Sequence, residues 1–193
     1  QSSGIPQAKQ LQGKELSYNN FLDGDAALLC LNEFKRSPSC VIVKHNTPCG
    51  VGVGKNIESA YLKALAVDSL SAFGGVVALN KKCTTKLAKE INKTFFEIII
   101  APSFDSGALK IFSKKKNLRV LCLKKYVSPD FSIKTIAGGS LGQGSDSSKL
   151  NKNDLVVPTR KKPTPNQLST LLFAWKVLKH TKSNAIVVAK NNK

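Results

Sequence analysis

Strand-like and helix-like segments alternate along this chain at the spacing of an α/β fold, a three-layer arrangement with helices on both faces of a largely parallel sheet. Three observations predict it. Short apolar runs recur at Val41–Val43, Val76–Leu79, Ile98–Ala101 and Val120–Leu123, as in strands covered on both faces. Between them lie segments with helical apolar spacing and polar residues suited to capping. The 193 residues are enough for one or two domains with a real core.

The elements follow in order. Asp23 or Asp25 can cap a helix running to about Phe34, with Ala26, Leu28, Leu29 and Leu31 on its apolar face. The strand Val41–Val43 then enters a loop in which Asn46, Pro48 and Gly50 break the β pattern. Asn56 caps a helix through Ile57, Ala60, Tyr61, Ala64 and Leu65. The turn Ser71-Ala72-Phe73-Gly74-Gly75 precedes the strand Val76–Leu79. Thr84 or Thr85 opens a helix through Leu87, Ala88 and Ile91, and Asp105 starts a short one carrying Ala108, Leu109 and Phe112. Pro102 stops the strand Ile98–Ala101, and a further strand covers Arg119–Leu123.

After Tyr126 the composition turns to Ser, Gly, Lys and Asp, which predicts an irregular connection with one strand at Phe131–Ile136. A helix is expected over Gln167–His180, with Leu168, Leu171, Leu172, Trp175 and Leu178 sharing a face, then a last buried strand over Asn184–Ala189. His180 reads as a cation at a helix end. The organisation expected is a first α/β part over 1–125, a connection over 126–164, and a helix-strand start of a following part over 165–193.

Lys44 and His45 end the strand that begins at Val41. In open α/β sheets ligands bind beyond the carboxyl ends of strands. A histidine there exchanges a proton near neutral pH, and a lysine holds developing negative charge. A solvated strand end with two basic residues is the plain alternative. The paired glycines Gly74 and Gly75 allow close approach, whether of a ligand or of another strand.

The formal charge of +18 suggests nucleic acid or a membrane surface. Yet the cations are spread along the chain, and only Arg36, Arg119 and Arg160 are arginines. No interleaving of arginine with aromatics points to base reading or stacking. Nucleic acid is therefore not the expected partner, and the charge is read as a field that draws in anionic substrates. Five cysteines, Cys30, Cys40, Cys49, Cys83 and Cys122, never fall in C-x-x-C spacing. Reduced thiols in a cytoplasmic protein, with no zinc site, are the expectation. No apolar run approaches a signal peptide or a membrane span. The chain opens at Gln1 without methionine, as expected of a processed product or an excised segment.

Several blocks, taken together and in order, carry a resemblance. They are Leu11-Gln12-Gly13-Lys14-Glu15-Leu16-Ser17-Tyr18, Val43-Lys44-His45-Asn46-Thr47-Pro48-Cys49-Gly50, Ser71-Ala72-Phe73-Gly74-Gly75, Glu97-Ile98-Ile99-Ile100-Ala101-Pro102 and Lys182-Ser183-Asn184-Ala185-Ile186. The chain resembles the first half of the formyltransferase domain in a family of bifunctional purine-biosynthesis enzymes. That family combines phosphoribosylaminoimidazolecarboxamide formyltransferase with inosine monophosphate cyclohydrolase.

The resemblance implies formyl transfer from 10-formyltetrahydrofolate, as co-substrate, to 5-aminoimidazole-4-carboxamide ribonucleotide. It implies a cytidine-deaminase-like fold without the zinc site, and a homodimer in the intact protein. His45 matches the family's proton acceptor and Lys44 its transition-state stabiliser. Gly74 matches a glycine that lets the nucleotide approach, Glu97 an acidic nucleotide contact, and Asn191 a polar contact to the carboxamide. Thr47 stands where relatives often carry asparagine. The upstream nucleotide-holding segment, the cyclohydrolase domain and the second formyltransferase half are not among these residues, so the chain by itself is expected to be inactive. The readings weighed against this one are an inactive remnant, a basic nucleic-acid-binding module and a zinc deaminase relative. The last needs H-x-E and P-C-x-x-C, whereas the chain has His45-Asn46-Thr47 and Pro48-Cys49-Gly50-Val51-Gly52.

Overall fold

The computed structural model describes residues 3–193. Six strands form one sheet: β1 (Lys9–Gln12), β2 (Ser39–Lys44), β3 (Thr47–Val53), β4 (Gly75–Leu79), β5 (Phe96–Ala101) and β6 (Arg119–Cys122). Their order is β1-β6-β5-β4-β2-β3. Helices α1 (Tyr18–Leu31), α2 (Ile57–Leu65), α3 (Thr85–Ile91) and α4 (Ser106–Phe112) are interleaved with them.

The sheet's two faces follow from alternation along each strand. Cys40 and Ile42, Val77 and Leu79, Ile99 and Ala101 turn to one face, where they pack with Ala60, Tyr61 and Ala64 of α2, Leu87 and Ile91 of α3, and Phe112 of α4. Val41 and Val43, Val76 and Ala78, Ile98 and Ile100 turn to the other, against Ala27, Leu28 and Leu31 of α1. Strands β2, β4 and β5 are thus apolar on both sides. Full burial of one such Ile or Leu side chain contributes about 1.5–3 kcal/mol.

Two expectations about this sheet fail. It is mixed, not largely parallel: β4, β5 and β6 run parallel, while β2 is antiparallel to both β3 and β4 and β1 is antiparallel to β6. The cause is at residues 44–47. Lys44 pairs with Thr47, and a two-residue connection can only return antiparallel. The loop expected after Lys44 is therefore strand β3. Pro48 is tolerated because β3 lies at the sheet's edge, next to a bulge between Ile42 and Val43. Gly50 and Gly52 are required by packing, since a Cβ on either would stand 2.2 Å from a carbonyl oxygen of α2, that of Ala64 or Ala60.

Helix α1 starts earlier than expected. Ser17 caps it: its Oγ accepts from the Asn20 N–H at 3.3 Å, and Asn20 Oδ1 accepts from the Ser17 N–H at 3.1 Å. Asp23 and Asp25 therefore lie within the helix. Asn56 and Thr84 cap α2 and α3 as expected, accepting from Ser59 and Leu87 N–H.

Beyond Tyr126, β7 (Phe131–Ile136) and β8 (Gly139–Gly144) pair as an exposed hairpin. Only the first of these strands is legible in the sequence, because glycines in β8 mask the second. Helix α5 (Pro165–Leu178) buries Phe173 and Val177, which join the α1 face of the core, and Phe173 lies 5.3 Å from the Phe34 ring. This differs from the expected face: Leu171 and Trp175 are 59% and 45% exposed. Asn184–Ala189 forms no strand. Val187 and Ala189 pack on the core while Ile186 and Val188 are about nine-tenths exposed, so the segment is extended and covered on one side only. His180 is largely buried beside Glu33, and burial holds its imidazole below the usual range. Burial thus favours the neutral imidazole over the cation expected there.

Candidate active site

The β2–β3 turn consists of His45 and Asn46, with φ of 51° and 61°. Positive φ at both central residues is the signature of the I′-type turn, whose twist matches that of the flanking strands. The turn explains how consecutive residues serve one place. Lys44 ends the ladder, and His45 leaves it at once, exposed at the tip.

Lys44 does not extend into solvent. Its Nζ donates to the Phe73 carbonyl oxygen at 2.5 Å. Gly74 follows with φ of 70°, and its N–H donates to the Phe95 carbonyl at 2.8 Å. A Cβ on Gly74 would lie 2.9 Å from Lys44 Nζ. The glycine is therefore demanded by its backbone conformation, and the ammonium lies close over it. The Phe73 and Phe95 rings meet at a tilt of 46° beside this point, 5.2 Å apart, and both are substantially exposed.

Glu97, the second residue of β5, sits at the same end of the sheet. Its Oε2 accepts from Asn20 Nδ2 at 2.9 Å and lies 3.6 Å from an Arg119 guanidinium nitrogen. Arg119 also donates from Nε to the Glu15 carbonyl at 2.9 Å. From α1, Asp23 Oδ1 accepts the Asn46 N–H at 2.7 Å. Asn20 and Asp23, three apart, lie on one helix face and touch two parts of the site.

The location differs from the expected one. Val43 pairs with Val76 across antiparallel strands, so the carboxyl end of β2 adjoins the amino ends of β4, β5 and β6. Lys44, His45, Gly74 and Glu97 therefore gather at the amino-terminal edge of the parallel strands. Asn191 is not with them. It is exposed beyond the other end of the hairpin, where Lys63 Nζ donates to its carbonyl at 3.1 Å and Val53 N–H donates to Asn192 at 3.0 Å.

Asn20, Asp23 and Arg119 escaped the sequence reading. Arg119 carries only the signal of a strand-leading cation, since its place level with Ile98 is set by the sheet register. The two α1 residues carried none, because their partners are 77 and 23 residues away.

Cys49 is half-buried, donates to the Ile42 carbonyl, and has its thiol pushed up to about 11, mainly by burial. Among the described residues, no group of three or more His, Cys, Asp or Glu side chains is placed to hold a metal ion. No helix among them is long and apolar enough to cross a membrane. A cavity of about 850 Å³ lies elsewhere, between the residues after Asn32, the Ser145–Asn151 segment and α5. It is remote from the Lys44 turn.

Comparison with known proteins bears on this arrangement. The family model described as the AICARFT/IMPCHase bienzyme matches residues 1–193. The bifunctional purine biosynthesis protein PurH of Thermoanaerobacter sp. (strain X514) is 50% identical over 188 residues, 97% of this chain and 37% of that protein. PurH of Gloeothece citriformis (strain PCC 7424) is 52% identical over 193 residues, 99% of this chain and 37% of that protein. The chain thus spans 37% of the length of these relatives. Among solved structures, Acinetobacter baumannii RibD (form 1) aligns over 54% of this chain and 34% of its own with 14% identity and a TM-score of 0.41, too low a likeness to carry an argument.

Proposed function

The chain belongs to the AICARFT/IMPCHase bienzyme family, and from that premise we propose that it carries the base and the cation of a formyltransferase site used in purine biosynthesis. The substrates in this reading are 5-aminoimidazole-4-carboxamide ribonucleotide and 10-formyltetrahydrofolate. The observation that carries it is the single two-residue turn that delivers both Lys44 and His45 to the sheet end holding Gly74 and Glu97.

The acceptor amine is conjugated with its ring and carboxamide and is a weak nucleophile. Its nitrogen attacks the formyl carbon, a C–N bond forms, and the carbonyl oxygen gains negative charge. His45 takes the proton that the amine must lose. Lys44 is the cation beside the developing oxyanion, and its present acceptor, the Phe73 carbonyl, holds it in reserve at one place. Collapse breaks the bond to N10 of the folate, which leaves with the proton that His45 took from the amine, so the base is restored. Glu97, fixed by Asn20 and Arg119, is suited to accept nucleotide hydroxyls. The positive field of the chain favours arrival of both anionic substrates.

The same reading makes the fold cytidine-deaminase-like without a zinc site, the intact protein cytoplasmic and homodimeric, and the cyclohydrolase activity a property of residues outside this chain. Asn191 has no role at the Lys44 turn in this reading unless another part of the assembly brings it there. Formyl transfer is tested with the full-length protein that contains these residues, beside the isolated chain. Folate-dependent turnover by the full-length protein and none by the isolated chain is expected. A full-length protein inert toward this pair of substrates contradicts the proposal.

A further inference from the structure

We infer that Asp23 is a positioning residue for His45, an inference that rests on the reading of His45 as the base. Asp23 lies in the interior of α1, where a carboxylate does nothing for its helix's own cap, which Ser17 provides. Its Oδ1 reaches across to accept the N–H of Asn46 at 2.7 Å. That N–H belongs to the second residue of the turn, directly after His45.

The turn needs holding. His45 and Asn46 both occupy the left-handed region, which residues other than glycine adopt infrequently. A hydrogen bond from a backbone N–H to an ionised carboxylate is shorter and stronger than a neutral one. Among the described residues, no other side chain bonds to the backbone of His45 or Asn46. The turn's own amide does not substitute, because Asn46 Oδ1 is buried and has no partner.

The anchor behind Asp23 is firm. Ala27, Leu28, Cys30 and Leu31 of α1 are buried against the sheet. At Gly24, next to Asp23, a Cβ would lie 2.9 Å from the Ile5 side chain, so the helix packs closely at this point. Asp23 therefore transmits the position of a packed helix to an exposed turn, and fixes the backbone from which the imidazole is presented. A base displaced by about 1 Å costs on the order of 10²-fold in rate.

The test uses the full-length protein with Asp23→Ala, Asp23→Asn, His45→Ala and, as a control, Asp25→Asn. Asp25 lies on the same helix, but its carboxylate accepts from the Tyr126 hydroxyl and does not touch the turn. Steady-state kinetics are read together with hydrogen exchange over residues 44–48. For Asp23→Ala, kcat is expected to fall roughly 10- to 100-fold, with the nucleotide KM within about twofold and faster exchange confined to the turn. Asp23→Asn, which keeps an oxygen acceptor, is expected to recover much of the rate, and Asp25→Asn to behave as wild type. Should Asp23→Ala fail to fold, the same comparison is made between Asp23→Asn and Asp23→Ser, with the serine variant the slower.

Two negative results are distinguishable. If His45→Ala is inactive while Asp23→Ala turns over normally with unchanged exchange at 44–48, the positioning role is overturned. If His45→Ala itself turns over normally, His45 is not the base and the inference falls with that reading, whatever the exchange at the turn.

Discussion

Lys44 Nζ and the Phe73 carbonyl oxygen stand 2.5 Å apart, a bond that joins the end of β2 to the turn before β4. Neither residue has another route to the other: they are 29 positions apart. The bond exists because β2 and β4 are adjacent and antiparallel, so the end of one strand meets the start of the other. It orients a flexible lysine and places the ammonium directly over Gly74.

Gly74→Ala is accordingly expected to harm both stability and activity. A φ of 70° costs an L-residue roughly 1–2 kcal/mol, and the new methyl would displace Lys44 Nζ. In the full-length protein, urea denaturation should show a loss of that size and kcat should fall as it does in Lys44→Ala. A Gly74→Ala protein with wild-type turnover would show that the lysine's present position is irrelevant.

Asn20→Ala should cost about 1.5–3 kcal/mol, the scale of a hydrogen bond to a charged group. Asn20 is buried, holds the Glu97 carboxylate and completes the cap with Ser17. A double-mutant cycle with Glu97→Ala separates the two losses. Zero coupling would mean that Asn20 acts through the cap alone.

Much of this fold is legible in the sequence. The alternation of apolar runs and capped helices locates β2, β4, β5, β6 and the helices α2 to α4, because burial on both strand faces leaves continuous apolar runs. What escapes is long-range. Nothing near Lys44 announces that Thr47–Val53 returns as an edge strand, since its glycines answer to helix α2 and not to the strand itself. The site is legible to the same extent. Lys44, His45 and Gly74 lie in blocks whose order in the chain is informative. Asn20, Asp23 and Arg119 join through packing between segments far apart in sequence.

Stability should fall as pH drops from near His180's ordinary value of 6.5 toward its depressed folded value. Burial is the leading cause, with Lys179 acting in the same direction and Glu33 and Asp146 against it. The unfolded chain binds a proton in this window while the folded chain does not, so acidification favours unfolding. Replacing His180 with Gln removes the titration and should flatten this part of the stability–pH curve. An unchanged curve would assign the acid sensitivity to other groups.

The extended C-terminal segment should show alternating tolerance. Val188→Asp, at an exposed position, is expected to change stability by no more than about 0.5 kcal/mol in this chain. Val187→Asp, packed on the α1 face of the core, should lower it by more than about 1 kcal/mol. Equal effects in thermal denaturation would mean that the segment does not hold the register described.

The central claim is that the turn after β2 carries the base of formyl transfer. It is tested most directly by steady-state kinetics of His45→Ala in the full-length protein, with the folate and nucleotide varied in turn. The account predicts a fall in kcat of roughly 10²-fold or more with nucleotide KM little changed. Near-normal kcat in a folded His45→Ala protein would contradict it and remove this histidine from the mechanism.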